Sequence, residues 1–381
     1  MNLLDRHIFK SVFGTCATAV ALFAFVVALP HIVRELLNPL LVGQFELTTF
    51  ARLVALLFPF AVSLALPMGI LTGVLLTLGR LSADSEITAM RAAGISLGRI
   101  ACPIFVLAVF CSVGALYINL ESAPWARAQY HREFAEAVRT NPLGIIVPKT
   151  FIRDFRGTVL YVGAKDGPLL HDIWLWSLDD QSRVRRLVRA ESGRLDYDEA
   201  TNSLVPTLLR AKIEERDAAN PEDFSKSPKS ASFERLEEWR IPLDRYLGRN
   251  LVRIKPEWFT LRELRIAQAR HAAQPPPPDA PGQHAREQMR FALIVQEKIN
   301  LSLAVFSFAL LGVPLGIKIS RRETSANLGL ALLLALGFYV LTVAFKGLDK
   351  YPACRPDLLI WLPNLLCLGL GLWLFRRIER K

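Results

Sequence analysis

Six apolar runs, at roughly residues 11–33, 53–79, 100–120, 299–319, 327–345 and 358–375, constrain this chain more than anything else in it. Each is close to the about 20 residues that an α-helix needs to cross the hydrocarbon core of a bilayer. Each has few charges or none in its middle. Proline and glycine lie within several of them, which membrane helices tolerate because neighbouring groups satisfy the freed backbone. The first run is too long for a cleavable signal, and Ala28-Leu29-Pro30 is a poor cleavage site. With 52% hydrophobic residues over 381 positions, the reading is a polytopic membrane protein.

The net charge of +11 follows the spans and points to topology, with no nucleic-acid partner expected. Six crossings put both termini on one side. That side holds Arg6, Lys10, Arg80, Arg91, Arg99, Lys318, Arg321, Arg322, Arg376, Arg377, Arg380 and Lys381. The short loops and span ends opposite hold only Arg34, Arg52, Lys346, Lys350 and Arg355. The positive-inside rule therefore places both termini in the cytoplasm and the long segment between the third and fourth runs outside. Of the cysteines, Cys16, Cys102, Cys111 and Cys367 fall in apolar runs and Cys354 faces outward. They form no disulfide framework and no zinc-ligand spacing.

Three blocks follow: residues 1–121 with three spans, 122–285 as a water-soluble insert, and 286–381 with three more spans. The insert opens on a polar helical stretch, Trp125 to Arg139, halted by Asn141-Pro142. Thr158–Gly163 and Asp172–Leu178 are β-branched or aromatic runs bounded by Gly, Pro and Asp, the pattern of strands. Arg194–Asp198, the turn residues Glu199-Ala200-Thr201-Asn202 and Ser203-Leu204-Val205 read as a hairpin. The polar stretch 211–232 reads as a loop and Ser232 to Ile241 as a further strand. About 100 residues of β-rich sequence suffice for a sandwich or jelly roll. Thr260 and Glu263 form a capping box, and Gln274–Gly282, with its prolines, reads as a stiff linker. On the second strand Trp174 and Trp176 share one face and Ile173 and Leu175 the other; the tryptophan face reads as core or as a slide for lipid, core being the simpler.

There is no G-x-x-x-x-G-K-[ST] phosphate loop, no H-E-x-x-H and no G-x-S-x-G elbow. The six histidines are scattered, and the span centres carry no ionisable residue of the kind that membrane catalysis or proton coupling requires. The chain is expected to have no catalytic residues, metal site or cofactor of its own. The positive signal is Ser85–Ser96, a charged, helix-compatible segment between two apolar runs. In a helix over about 84–95, Ile87, Met90, Arg91 and Gly94 recur at spacings of three and four and form one face. Asp84, Ser85 and Glu86 occupy the first turn, where the helix dipole favours acids. That face fits a docking partner, or a helix lying on lipid headgroups. Gly69-x-x-x-Gly73 and Gly312-x-x-x-Gly316 allow close helix approach, within the chain or at a gate between subunits.

The run Thr77–Ser96, Pro124-Trp125, Ala135-Glu136-Ala137 with Asn141-Pro142, and Gly312-Val313-Pro314-Leu315-Gly316 resemble the lipopolysaccharide-export permease family (LptF/LptG, also YjgP/YjgQ), on its LptF side. The resemblance implies an α+β membrane protein with six transmembrane helices, three plus three, and a periplasmic β-jelly-roll domain between helices 3 and 4. It implies a multi-pass protein of the bacterial inner membrane, paired with an LptG-type permease on an LptB-type ATPase dimer and joined to an LptC/LptA-type bridge. It makes Ser85, Glu86, Ile87, Met90, Arg91 and Gly94 the ATPase-coupling residues. For a phosphorylated, multiply acylated substrate, Arg34, Arg52, Lys298 and Lys346 would form a cationic cavity rim; each could equally snorkel to the membrane interface. A permease for another lipid or a lipoprotein, or a membrane scaffold with a β-rich binding domain, are the alternative functions.

Overall fold

The computed structural model describes residues 3–41, 46–140, 148–153, 157–167, 169–179, 181–198, 203–217, 225, 227–236, 241–242, 255–273, 281–317, 324–351 and 354–380. Among them, six helices are long and apolar enough to cross a membrane: Leu3–Leu37, Leu47–Ala83, Leu97–Ala137, Arg286–Ile317, Leu332–Asp349 and Pro356–Glu379, here spans 1 to 6. Each of the six expected runs is helical where it is described, apart from a turn at Ile360-Trp361 in the last, and most extend well past their apolar cores. Span 3 continues from Leu97–Tyr117 through a π-helical turn at Ile118–Ser122 into Ala123–Thr140. The helix expected at Trp125 to Arg139 is thus an extension of span 3, with no break between them. Likewise Pro281 and Gly282, expected to end the linker, open the helix Pro281–Ile317. Proline suits the first turn of a helix, where its missing N–H costs nothing. Asn141-Pro142, Glu199–Asn202 and Gln274–Ala280 lie outside the described residues.

The chain divides into two compact units. The first comprises Met1–Ile32, Val54–Tyr130 and Lys255–Lys381, the second Val33–Leu53 and His131–Ile254. In the first, span 4 is the central helix: 67% of its apolar window is enclosed, against 17% for span 5. Ile8, Val12 and Cys16 of span 1, Ile70, Val74 and Leu78 of span 2, Ile100 and Ile104 of span 3, and Val305, Ala309 and Val313 of span 4 form one buried cluster. A second cluster joins Leu71 and Leu75 to Ala304, Phe308, Ala335 and Phe338, with the rings of Phe308 and Phe338 edge-to-face at 5.1 Å.

Glycine sets the spacing of these helices. A Cβ on Gly73 would lie 2.5 Å from the Cα of Cys16, and one on Gly69 2.7 Å from the Cα of Val20. One on Gly316 would lie 2.7 Å from the Cβ of Leu78, and one on Gly312 3.1 Å from Val74 Cγ1. The first pair packs span 2 on span 1, and the second packs span 4 on span 2. Both motifs are used within the chain.

Polar groups pin the same helices together. Asn364 of span 6 donates to the backbone oxygen and side-chain Oδ1 of Asn300 at 3.1 and 3.0 Å, and accepts from the Ser307 hydroxyl. Asn300 donates to the Ile360 carbonyl at 2.9 Å, and Asn119 of span 3 to Ser302 Oγ at 2.9 Å. All five side chains are buried. Where no water competes, each satisfied amide holds two helices in register, at about 0.6 kcal/mol and up to about 1.7 per bond.

The second unit carries an antiparallel sheet: β1 Phe151–Ile152, β2 Thr158–Asp166, β3 Leu169–Leu178, β4 Val184–Asp198, β5 Ser203–Glu215, β6 Lys229–Leu236 and β7 Ile241–Pro242. Every described pairing is between sequence neighbours except that of β7 with β5. The strands expected at 158–163 and 172–178 and both arms of the expected hairpin are present, with Asp198 opposite Ser203. Of the strand expected over 232–241, residues 232–236 lie in β6 and 241 in β7, and 237–240 lie outside the described residues. The stretch 211–232 is not a loop throughout: Ala211–Glu215 completes β5 and Lys229–Ser232 opens β6. Its polar residues alternate outward on a strand, Lys212 and Glu214 against buried Ala211. The Ile173 and Leu175 face is the buried one, at 2% and 1% exposure with Leu160, Val162, Val188 and Ala190. Trp174 and Trp176 are therefore not core. They stack on each other at 5.7 Å on the opposite face, with the Arg189 guanidinium 4.4 Å from the Trp174 ring.

Gly73→Leu should drive spans 1 and 2 apart and cost about 1–3 kcal/mol, the range for overpacking a close contact. Gly14→Ala, whose Cβ meets nothing within 4 Å, should leave stability unchanged or slightly higher. Thermal unfolding in detergent, followed by tryptophan fluorescence, distinguishes the two.

Candidate functional site at the segment between spans 2 and 3

Span 2 ends at Ala83, and the chain turns through Asp84 and Ser85 into a seven-residue helix, Glu86–Ala92. Ser85 enters that helix in the left-handed region, φ 64°, and its side chain does not cap it. The far end is a Schellman closure. Ile95 N–H donates to Met90 O at 3.1 Å and Gly94 N–H to Arg91 O at 2.9 Å, with Gly94 at φ 82°. The last carbonyls are thereby satisfied, and the side chains of Met90 and Ile95 both pack against the main buried cluster. Ser96 then caps span 3, its hydroxyl accepting from Arg99 N–H.

The helix is two-sided. Ile87 is 3% exposed and belongs to the same buried cluster as spans 1 to 4, and Met90 packs beside it. Glu86, Thr88, Ala89, Arg91, Ala92 and Ala93 are exposed. Three contacts fasten the flanks to other helices of the unit. Arg80 donates to Ser11 Oγ at 2.7 Å, Ser82 Oγ to the Ile317 carbonyl at 3.1 Å, and Arg99 pairs with Asp5 at 3.1 Å. The segment is thus tied to the start of span 1 and the end of span 4 as well as to its own neighbours.

A second group gathers at the other end of span 4. Lys298 Nζ donates to the Phe259 carbonyl at 2.7 Å, and Lys346 pairs with Glu297 at 2.8 Å. Trp361 Nε1 donates to Gln296 at 3.1 Å, and Arg290 pairs with Glu257 at 2.7 Å. Burial pushes the Glu257 carboxyl up, but the hydrogen bond and charge of Arg290 outweigh it and hold the group below the ordinary carboxylate range. The Lys346 and Trp361 contacts tie spans 5 and 6 to span 4, and the Lys298 and Arg290 contacts tie to it the chain returning from the β domain. Its next helix, Leu261–Ala273, opens on the expected capping box, Thr260 N–H and Oγ1 both donating to Glu263 at 2.9 Å.

Six spans split by a β-rich insert, with a two-sided helix between spans 2 and 3, define an architecture that comparison with known proteins can place. The lipopolysaccharide export system permease family LptF/LptG matches residues 6–377. The chain belongs to the LptF/LptG family. It is 24% identical over 336 residues to the lipopolysaccharide export system permease protein LptF of Escherichia coli K12, covering 87% of this chain and 83% of that protein. Over 203 residues it is 26% identical to LptG of Haemophilus influenzae Rd, covering 52% of this chain and 56% of the relative. The longer match to an LptF agrees with the expected LptF side of the family.

Within this permease the expected coupling residues separate. Glu86 and Arg91 are exposed, Ile87 is buried in the chain's own core, and Met90 is half-buried against it. Gly94 is held by conformation: the Schellman closure requires a positive φ that glycine alone adopts without strain. Among the rim residues, Lys298 and Lys346 belong to the first unit and are engaged as above. Arg34 and Arg52 belong to the second, where Arg52 lies 3.8 Å from Glu133. Arg34, in the π-helical turn Ile32–Leu37, is exposed and among the described residues forms no ion pair. Sequence reasoning missed Asp5, Ser82 and Glu297, whose roles depend on partners dozens to hundreds of residues away; Gly94 before the apolar Ile95 did carry a helix-end signal.

Gly94→Ala should place an L-residue at φ 82° and cost about 1–2 kcal/mol. Hydrogen exchange at the amides of residues 94 and 95 should accelerate about tenfold, while amides in the middle of span 4 keep their protection.

Proposed function

We propose that this chain is the permease subunit through which an ATP-driven complex extracts lipopolysaccharide from the inner membrane and passes it to a periplasmic bridge. An LptG-type permease is its partner in the membrane, an LptB-type ATPase dimer sits in the cytoplasm, and an LptC/LptA-type bridge receives the substrate. Both termini and the segment 84–96 are cytoplasmic, as the distribution of Lys and Arg supports, and the β domain is periplasmic. The blocks 1–121, 122–285 and 286–381 are then the first three spans, the periplasmic domain with its linker, and the last three spans.

One observation carries this reading: the helix Glu86–Ala92 has Ile87 in the core of the spans and Glu86 and Arg91 exposed on the other side. A push on the outer face moves a helix keyed by Ile87 and Met90 into the packed cluster, and close-packed interiors transmit displacement rather than absorb it. The chain supplies no nucleotide-binding loop, so the push comes from a separate ATPase. Arg34, exposed at the end of span 1, is the cation best placed to meet a substrate phosphate, since an arginine fork matches phosphate oxygens in a charge-assisted pair.

Glu86→Lys with Arg91→Glu should lower recovery of the ATPase in mild-detergent pull-downs by about tenfold or more, with the six-span unit still folded by size-exclusion profile. Ile87→Asp should instead lower the stability of the permease itself. Wild-type ATPase recovery and normal lipopolysaccharide export by the charge-reversed variant would refute the coupling role.

A further inference from the structure

The last three turns of span 6, with Arg380 just beyond them, carry a site that neither the coupling segment nor the substrate path uses. Gly369, Leu372, Trp373, Arg376, Arg377 and Arg380 line a groove of about 640 Å³, within the range that accommodates a small ligand. Gly369, Trp373, Arg377 and Arg380 follow one another at spacings of four, four and three, and Arg376 lies three after Trp373 and four before Arg380, so they share one helix face. Along that face composition changes from apolar to cationic: glycine, leucine and tryptophan first, then three arginines. The Arg377 guanidinium lies 5.2 Å from the centroid of the Trp373 ring, which is 54% exposed. All three arginines are exposed, and among the described residues none forms an ion pair. Elsewhere in this unit Arg99 and Arg290 each hold a carboxylate.

We propose that this groove binds the phosphodiester headgroup of an anionic phospholipid, with its acyl chains along Leu372 and Trp373. The order of the lining matches the order of the lipid: hydrocarbon toward the bilayer centre, tryptophan at the interfacial level where such rings settle, phosphate beyond it. Guanidinium forks bind phosphate oxygens bidentately, and an anionic leaflet favours each nearby arginine. Six crossings put this end of span 6 on the side where span 1 begins; under the proposed orientation the lipid is one of the cytoplasmic leaflet. Membrane insertion alone underlies the site, so its test is independent of export.

The test is native mass spectrometry of the purified full chain titrated with palmitoyl-oleoyl phosphatidylglycerol and, separately, with the phosphatidylcholine of the same acyl chains. Retention of phosphatidylglycerol should exceed that of phosphatidylcholine. Each of Arg376→Gln, Arg377→Gln and Arg380→Gln should weaken it by about fivefold. Trp373→Ala should weaken it with the charge intact, and the charge-matched single control Arg6→Gln should leave it unchanged. Equal retention of the two lipids would overturn the proposal, and so would an equal loss in the control, which would mean diffuse charge. Displacement of phosphatidylglycerol by excess inorganic phosphate would show a free-anion site instead. Unchanged lipid binding in the arginine variants with loss of a protein partner would show a docking surface instead.

Discussion

Span 2 lies against both span 1 and span 4 only because glycine removes the side chains that would hold the backbones apart. Gly69 and Gly73 meet Val20 and Cys16, and Gly312 and Gly316 meet Val74 and Leu78. Inside a bilayer no water drives apolar helices together, so close van der Waals contact and buried polar pairs must do so. The glycines provide the contact, and Asn119, Asn300, Ser302, Ser307 and Asn364 provide the pairs. Span 4 takes part in both kinds of contact, which is why it is the helix the others enclose.

That packing determines what the segment between spans 2 and 3 can do. Ile87 enters the cluster formed by spans 1 to 4, and Arg80, Ser82 and Arg99 fasten both flanks of the short helix to the start of span 1 and the end of span 4. A loop free to slide would dissipate an applied force. A helix keyed into the core and closed by a Schellman turn moves with the spans, and its polar face remains open to a partner.

Much of this was legible from sequence. Bilayer thickness fixes span length so strictly that all six runs could be found from hydropathy, and small-x-x-x-small spacing marked both glycine contacts. The Thr260 and Glu263 box and the strands around 160, 175 and 195 were legible because their signals are local. What escaped was the choice between faces. Ile87 and Met90 on a charged helix fit an outside partner or the chain's own core equally well, and periodicity does not distinguish them. Trp174 and Trp176 alternate correctly with Ile173 and Leu175, but which pair faces inward depends on strands β2 and β4. The polar run 211–232 reads as a loop until the pairing of Lys212 with Ser232 shows two strands with polar outer faces. Lys298 and Lys346 read as free cations because Phe259 and Glu297 declare themselves as partners only once the helices are assembled.

The β domain keeps its apolar residues on one face and an aromatic, cationic surface around Trp174, Trp176 and Arg189 on the other. Under the proposed function, its role depends on the membrane unit converting an external push into movement of the spans. Hydrogen–deuterium exchange of the permease with and without the proposed ATPase partner tests that step most directly. Slower exchange across Glu86–Ala92 on ATPase binding, with little change at the mid-span amides around Phe308, is the predicted result. Exchange in Glu86–Ala92 that is the same with and without the ATPase would contradict it.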